Sequence, residues 1–109
     1  MQYSITERGI HTIVAITGRI DSSNSAEFNT LLMEMVQQGK KKIVLEMGQM
    51  DYMSSAGIRV IVAVMKELRD VNGSLKLANL SKNVESVFRL IGLGIFEVYE
   101  SVDIAVGTS

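Results

Sequence analysis

The chain has 109 residues with 11 basic and 12 acidic side chains, a formal net charge of −1, no cysteine and no proline. That length predicts one domain, residues 1–109, with a core of its own; the missing cysteines exclude disulfides and thiolate metal sites, and the near-neutral balance gives no electrostatic footprint for nucleic acid. No apolar run approaches the ~20 residues that span a bilayer and the N-terminus lacks a basic-then-apolar secretory pattern, so the expectation is a soluble cytoplasmic domain without membrane insertion.

Gln2 to Glu7 is a short strand candidate, followed by a turn signal at Arg8-Gly9. His11 to Thr17 is rich in β-branched residues and closes at Gly18, which predicts a hairpin with the first strand. A polar loop through Asp21 leads to a helix over about Ser25–Gln38, with Asn24 and Glu27 spaced as a capping box. Phe28, Leu31, Leu32 and Met35 fall on one face of it, and Gly39 ends it. Lys40-Lys-Lys42 then enters a third strand, Ile43–Met47; the lysines read as a solvated turn, with an anion site as the sharper alternative.

A second helix is expected from Ile58 to about Val71. Arg59, Ala63, Lys66 and Asp70 share a polar stripe, opposite a wide arc of Val60, Ile61, Val64, Met65, Leu68 and Val71. Either that arc is buried between a sheet and a neighbouring helix, or an edge near Val60 or Val62 stays open as a docking surface. Asn72-Gly73 stops the helix, Ser74–Ala78 is a fourth strand, and Ser81 caps a third helix carrying Val84, Val87, Phe88 and Ile91 before Gly92. Ile95–Tyr99 is a last, edge-like strand. Ser101 starts a short helix through Val106, and Gly107, Thr108 and Ser109 are expected to fray. The order β-β-α-β-α-β-α-β-α predicts an α/β fold: a mixed, mostly parallel five-stranded sheet with an N-terminal hairpin and about four covering helices.

Little in this order points to catalysis. His11, the single histidine, borders a turn and reads as a surface or packing residue. Gly-x-Ser-x-Gly is absent, Gly92-Leu-Gly94 and Gly39-Lys40 lack the rest of any nucleotide loop, and the acidic residues are scattered. The methionines are gap-fillers or a promiscuous binding face. No catalytic residue, cofactor or metal is expected. What remains is the junction Asp51-Tyr-Met-Ser-Ser-Ala-Gly-Ile-Arg-Val60, where two serines stand between a strand and a helix. Ser54 and Ser55 are each placed to cap that helix, to accept a phosphoryl group, or both. If strands two and three are neighbours, their loops open at one sheet edge and Asp21 lies near Ser55; otherwise Asp21 is an ordinary turn residue.

Gly18-Arg-Ile-Asp21, Lys42-Ile-Val-Leu-Glu46, Tyr52-Met-Ser-Ser-Ala-Gly-Ile-Arg-Val60 and Leu75-Lys-Leu-Ala78 together resemble the STAS domain of bacterial anti-sigma factor antagonists, over essentially the whole chain. In those antagonists the phosphorylated hydroxyl follows an aspartate in Asp-Ser-Ser/Thr-Gly-Leu. Matching Gly57-Ile58 to Gly-Leu puts Ser55 on the phosphoacceptor, Ser54 on the aspartate and Ala56 on the second hydroxyl, and the early Gly-x-x-Asp falls on Asp21. Ser54 thus departs from the family acid, although serine still caps. The resemblance implies partner switching: the unmodified protein binds an anti-sigma factor that is also a serine kinase and so frees a sigma factor. Phosphorylation ends that binding, and a serine phosphatase restores it. Asp21, Ser54, Ser55, Ala56, Gly57, Arg59 and Val60 are the implied partner-facing residues. The alternative is a STAS scaffold subunit of a transport or sensory complex that is never phosphorylated.

Overall fold

The computed structural model describes residues 1–107. The elements are β1 (Gln2–Arg8), β2 (His11–Ile20), α1 (Ser25–Gln37), β3 (Lys42–Met53), α2 (Ser55–Arg69), β4 (Ser74–Ala78), α3 (Lys82–Ile91), a 3-10 turn (Leu93–Ile95), β5 (Glu97–Tyr99) and α4 (Val102–Gly107). The five strands lie in the sheet in chain order, β1 antiparallel to β2 and every later pair parallel. This is the mixed α/β sheet with an N-terminal hairpin that the sequence predicts.

Alternation along the strands sorts the core into two layers. Val14 and Ile16 of β2, Ile43, Leu45 and Met47 of β3, and Leu75 and Leu77 of β4 meet Phe28, Leu32 and Met35 of α1, Ile61, Val64 and Leu68 of α2, and Val84 and Phe88 of α3. Each helix contributes residues three and four apart, the stripe that a sheet can bury. At roughly 1.5–3 kcal/mol for each buried large side chain, this layer outweighs any local propensity. Phe88 and Phe96 close its end edge to face, with centroids 4.9 Å apart. The opposite face is covered by α4, whose Ala105 packs with Ile13, Val44 and Ala78. Lys76 is buried there, its Nζ donating to the Ala105 carbonyl at 2.9 Å and lying 5.3 Å from the centre of the Tyr99 ring.

Several boundaries differ from expectation. The hairpin turn is Gly9-Ile10, one residue later than Arg8-Gly9. Gly18 does not end β2: it takes φ +90 within the strand, at an irregularity, and pairing resumes to Ile20. β3 runs to Met53 instead of Met47. Its register with β2 slips twice, since Ala15 and Thr17 face Glu46 and Gln49, and Gly18 and Arg19 face Met50 and Tyr52. Each slip inserts one extra residue into β3, a bulge that breaks the apolar alternation on which the sequence reading relied. Beyond Glu46, the last residue paired with β4, β3 pairs with β2 alone. The Asn24–Glu27 capping box does not form, because the Asn24 side chain is committed to the preceding loop. Val71 lies past the end of α2 and is 41% exposed, outside the buried arc. β5 begins at Glu97, after the 3-10 turn, and α4 includes Gly107, whereas the expected fraying of Thr108 and Ser109 falls outside the described residues.

Candidate functional site

Two parallel strand ends build the site. Ile20 and Met53 are register partners, and the Ser54 N–H donates to the Ile20 carbonyl at 2.8 Å. The chain therefore leaves β3 fastened to the neighbouring strand. Ser54 keeps an extended backbone (φ −82, ψ 169) and its Oγ accepts the Gly57 N–H at 3.5 Å. It is the N-cap, and a long, weak one. Ser55 is the first helical residue and is exposed, and among the described residues no hydrogen bond uses its hydroxyl. Backbone geometry assigns the capping role: Ser54 caps, while Ser55 presents a free hydroxyl.

Gly57 explains how the helix comes so close. It is buried, and a Cβ there would lie 2.9 Å from Ile20 Cγ2 and 3.1 Å from Met53 Cγ. Only glycine lets the first turn of α2 rest on the ends of β2 and β3. Ile58 is buried beside it, Ala56 and Val60 are half-buried, and Arg59 is exposed.

The loop after β2 stands alongside. Asp21 Oδ1 accepts the Ser23 hydroxyl at 2.5 Å and the Ser23 N–H at 2.9 Å, and Oδ2 pairs with Arg19 Nε at 3.2 Å. The Ser23 hydroxyl and amide, and then the Arg19 guanidinium, hold the Asp21 carboxyl below the usual aspartate range. Asn24 closes the loop on itself, accepting the Asp21 N–H at 2.9 Å and donating to the Arg19 carbonyl at 2.9 Å. Arg19 also lies 5.3 Å from the centre of the Tyr52 ring. Asp21 thus belongs to a braced loop at the same sheet edge as Ser54 and Ser55. Arg19, Tyr52 and Ser23 escaped the sequence reading. The signal for the first two was cross-strand register, which is hidden until both bulges are known.

On its helical side Ser55 heads an open cleft of about 410 Å³. Ile58, Val62 and Ala63 of α2 and Ile91 of α3 supply apolar walls, and among the described residues Arg59 and Lys66 are the only charges in the lining. The apolar arc of α2 is therefore largely buried, with one edge left open. Ile61, Val64 and Leu68 are buried, while the edge at Val62 stays partly open. Leu90 and Ile91 continue the apolar surface, 88% and 48% exposed.

His11 sits elsewhere. It is buried at the start of β2, and the nine steps to Ile20 at ~3.3 Å each put it roughly 30 Å from the serines. Burial, then the nearby charges of Lys76, Lys42 and Arg8, hold its imidazole below the ordinary histidine range. It is a packing residue and no base for Ser55. Of the lysine run, Lys42 opens β3, and Lys40 pairs with Glu7 at 3.1 Å. Among the described residues no helix is long and apolar enough to cross a membrane, and no three acidic or histidine side chains cluster as metal ligands.

A family model for the STAS domain matches residues 2–105. The BtrV protein of Bordetella bronchiseptica, assigned provisionally as an anti-sigma factor antagonist, is 39% identical over 94 residues, covering 85% of this chain and 81% of its own. The anti-sigma-B factor antagonist of Bacillus subtilis is 35% identical over 81 residues, 73% of this chain and 72% of its own. Among solved structures, the anti-sigma factor antagonist SpoIIAA in its unphosphorylated form superposes with a TM-score of 0.82 at 21% identity, over 96% of this chain and 93% of that one. The phosphorylated form of SpoIIAA from Bacillus superposes at 0.75 and 20% identity, over 97% of each chain. At those identities the likeness establishes the fold.

Proposed function

The chain belongs to the STAS domain family, and from that premise we propose that it is an anti-sigma factor antagonist working by partner switching. The two relatives above carry that description. In the unmodified state the chain docks an anti-sigma factor that is also a serine kinase, and a sigma factor is freed. The docking face comprises the braced Asp21 loop, Ser54, Ser55 and Ala56, and the Arg59 and Val60 flank of α2. Gly57 acts from beneath, by holding the helix start against the sheet.

The observation that carries this reading is the Ser55 hydroxyl, exposed at the head of an apolar cleft while Ser54 beside it does the capping. In the switching step Ser55 Oγ attacks the γ-phosphorus of ATP. An O–P bond forms, the bond from that phosphorus to the β,γ-bridging oxygen breaks, ADP leaves, and the hydroxyl proton passes to a base of the kinase. A phosphatase then hydrolyses the ester to serine and inorganic phosphate. The modification adds about −1.5 to −2 charges at pH 7. The first turn of α2 carries no acidic residue, so its dipole favours the new anion by up to about 2 kcal/mol and the fold is retained. At a docked, desolvated interface the same charge is costly to bury, and a loss of ~3 kcal/mol is roughly 100-fold in affinity.

The test is incubation with ATP and each anti-sigma-type serine kinase encoded in the same genome, followed by intact-mass measurement. Wild type gains one phosphoryl group, Ser54→Ala still gains it, and Ser55→Ala does not. Loss with Ser54→Ala alone would move the acceptor by one residue. A chain that binds its partner without any mass gain would be the unphosphorylated scaffold of a transport or sensory assembly.

A further inference from the structure

We propose that Arg59 is the built-in receiver for the phosphoryl group on Ser55, so that modification turns off the cationic rim of the cleft from within. The inference rests on the phosphoacceptor reading of Ser55 and adds the group that answers the phosphate.

Three observations carry it. Ser55 and Arg59 are four residues apart on α2 and line the same cleft. On a helix that spacing puts the side chains one above the other, and an anion N-terminal to its cation is the favoured order. Arg59 is exposed and, among the described residues, makes no ion pair; the four pairs are Arg8–Asp103, Arg19–Asp21, Lys40–Glu7 and Arg89–Glu85. The last of these supplies the geometry within the same molecule. Glu85 and Arg89 of α3 have the same spacing and order, and the guanidinium grips the carboxylate with Nη2 at 2.6 Å and Nε at 2.9 Å. A phosphoserine offers the guanidinium fork a stronger acceptor than that carboxylate does.

Among the described residues no competing carboxylate lines the cleft, and the other cation there, Lys66, is eleven residues from Ser55, about 16 Å along the axis. With Ser55 unmodified, Arg59 and Lys66 give the apolar cleft a positive rim suited to carboxylates of a docking segment. With Ser55 phosphorylated, Arg59 is engaged inside the chain and the added charge of about −1.5 to −2 cancels most or all of the positive charge of the rim. The seat loses its positive charge while α2 stays where it is.

The experiment needs neither kinase nor partner. Phosphoserine is installed at position 55 of the full chain by codon suppression, and the phosphate is titrated by phosphorus NMR in wild type, Arg59→Gln, Arg59→Lys and Lys66→Gln. The helix N-terminus acts equally in all four. Pairing with Arg59 lowers the second phosphate ionisation, so wild type and Lys66→Gln titrate about 0.2–0.4 pH unit below Arg59→Gln. Arg59→Lys, which keeps the charge but loses the fork, falls between. Equal titration of wild type and Arg59→Gln, or a Lys66→Gln shift as large as that of Arg59→Gln, overturns the proposal. Either result leaves the mass-gain test of Ser55 standing, and a failed mass gain leaves this titration standing.

Discussion

Replacing Gly57 with alanine sets two known effects against each other. Alanine is the better helix former, by about 0.5–1 kcal/mol. Its Cβ would lie 2.9 Å from Ile20 Cγ2 and 3.1 and 3.2 Å from Met53 Cγ and Sδ, both residues fully buried. A β-branched side chain at a strand end cannot swing away, and overpacking of this kind costs about 1–3 kcal/mol. The clash wins, and Gly57→Ala destabilises by about 1 kcal/mol, some 4 °C or more in Tm for a chain of this size. Repeating the step in an Ile20→Ala background isolates the cause. There the nearest contact is gone and the flexible methionine can yield, so Gly57→Ala becomes neutral or stabilising by up to ~1 kcal/mol. Urea unfolding of the four proteins gives both values. A stabilising effect in the wild-type background, or the same effect in both, would refute the close-approach argument.

Ser54→Ala should cost about 0.5 kcal/mol, the low end for an N-cap because the bond is long, whereas Ser54→Asp should gain about 0.3–1 kcal/mol from the uncompensated dipole and lose that gain in high salt; thermal melts at two ionic strengths check both. For His11 the folded state prefers the neutral ring, so its contribution is full above about pH 6.5 and is lost as pH falls below that value. Stability from denaturant melts should therefore decline from pH 7 to 5 more steeply in wild type than in His11→Gln. Asp21 behaves likewise one window lower. Its depressed carboxyl contributes above about pH 3.9 and loses that contribution on further acidification, so wild type and Asp21→Asn should converge below pH 4.

The sequence was legible where pattern and packing agree. Phe28, Leu32 and Met35, and Ile61, Val64 and Leu68, declared their faces by spacing, and Ser81 caps α3 as its position promised, accepting the Val84 N–H at 3.3 Å. The far half of β3 was illegible because its bulges put Gly48, Gln49 and Asp51 into what should alternate. Asn24 looked like a cap but serves Asp21 and Arg19, a tertiary use that no local motif encodes. The placement of Ser54, Ser55 and Asp21 at one sheet edge was legible from the chain alone. The Ile91 wall of the cleft was not, because it stands at the far end of the next helix, and only the packing of α3 beside α2 brings it to the cleft.

β3 outruns β4 by seven residues, Met47 to Met53, so the serine stands on a two-stranded jetty beyond the main raft of the sheet. Past Glu46, among the described residues, β3 has β2 on one side and no strand on the other. The jetty keeps its footing in the core through Ile20, Met50 and Met53, all buried, so a change on its outward surface at Ser55 leaves that footing in place.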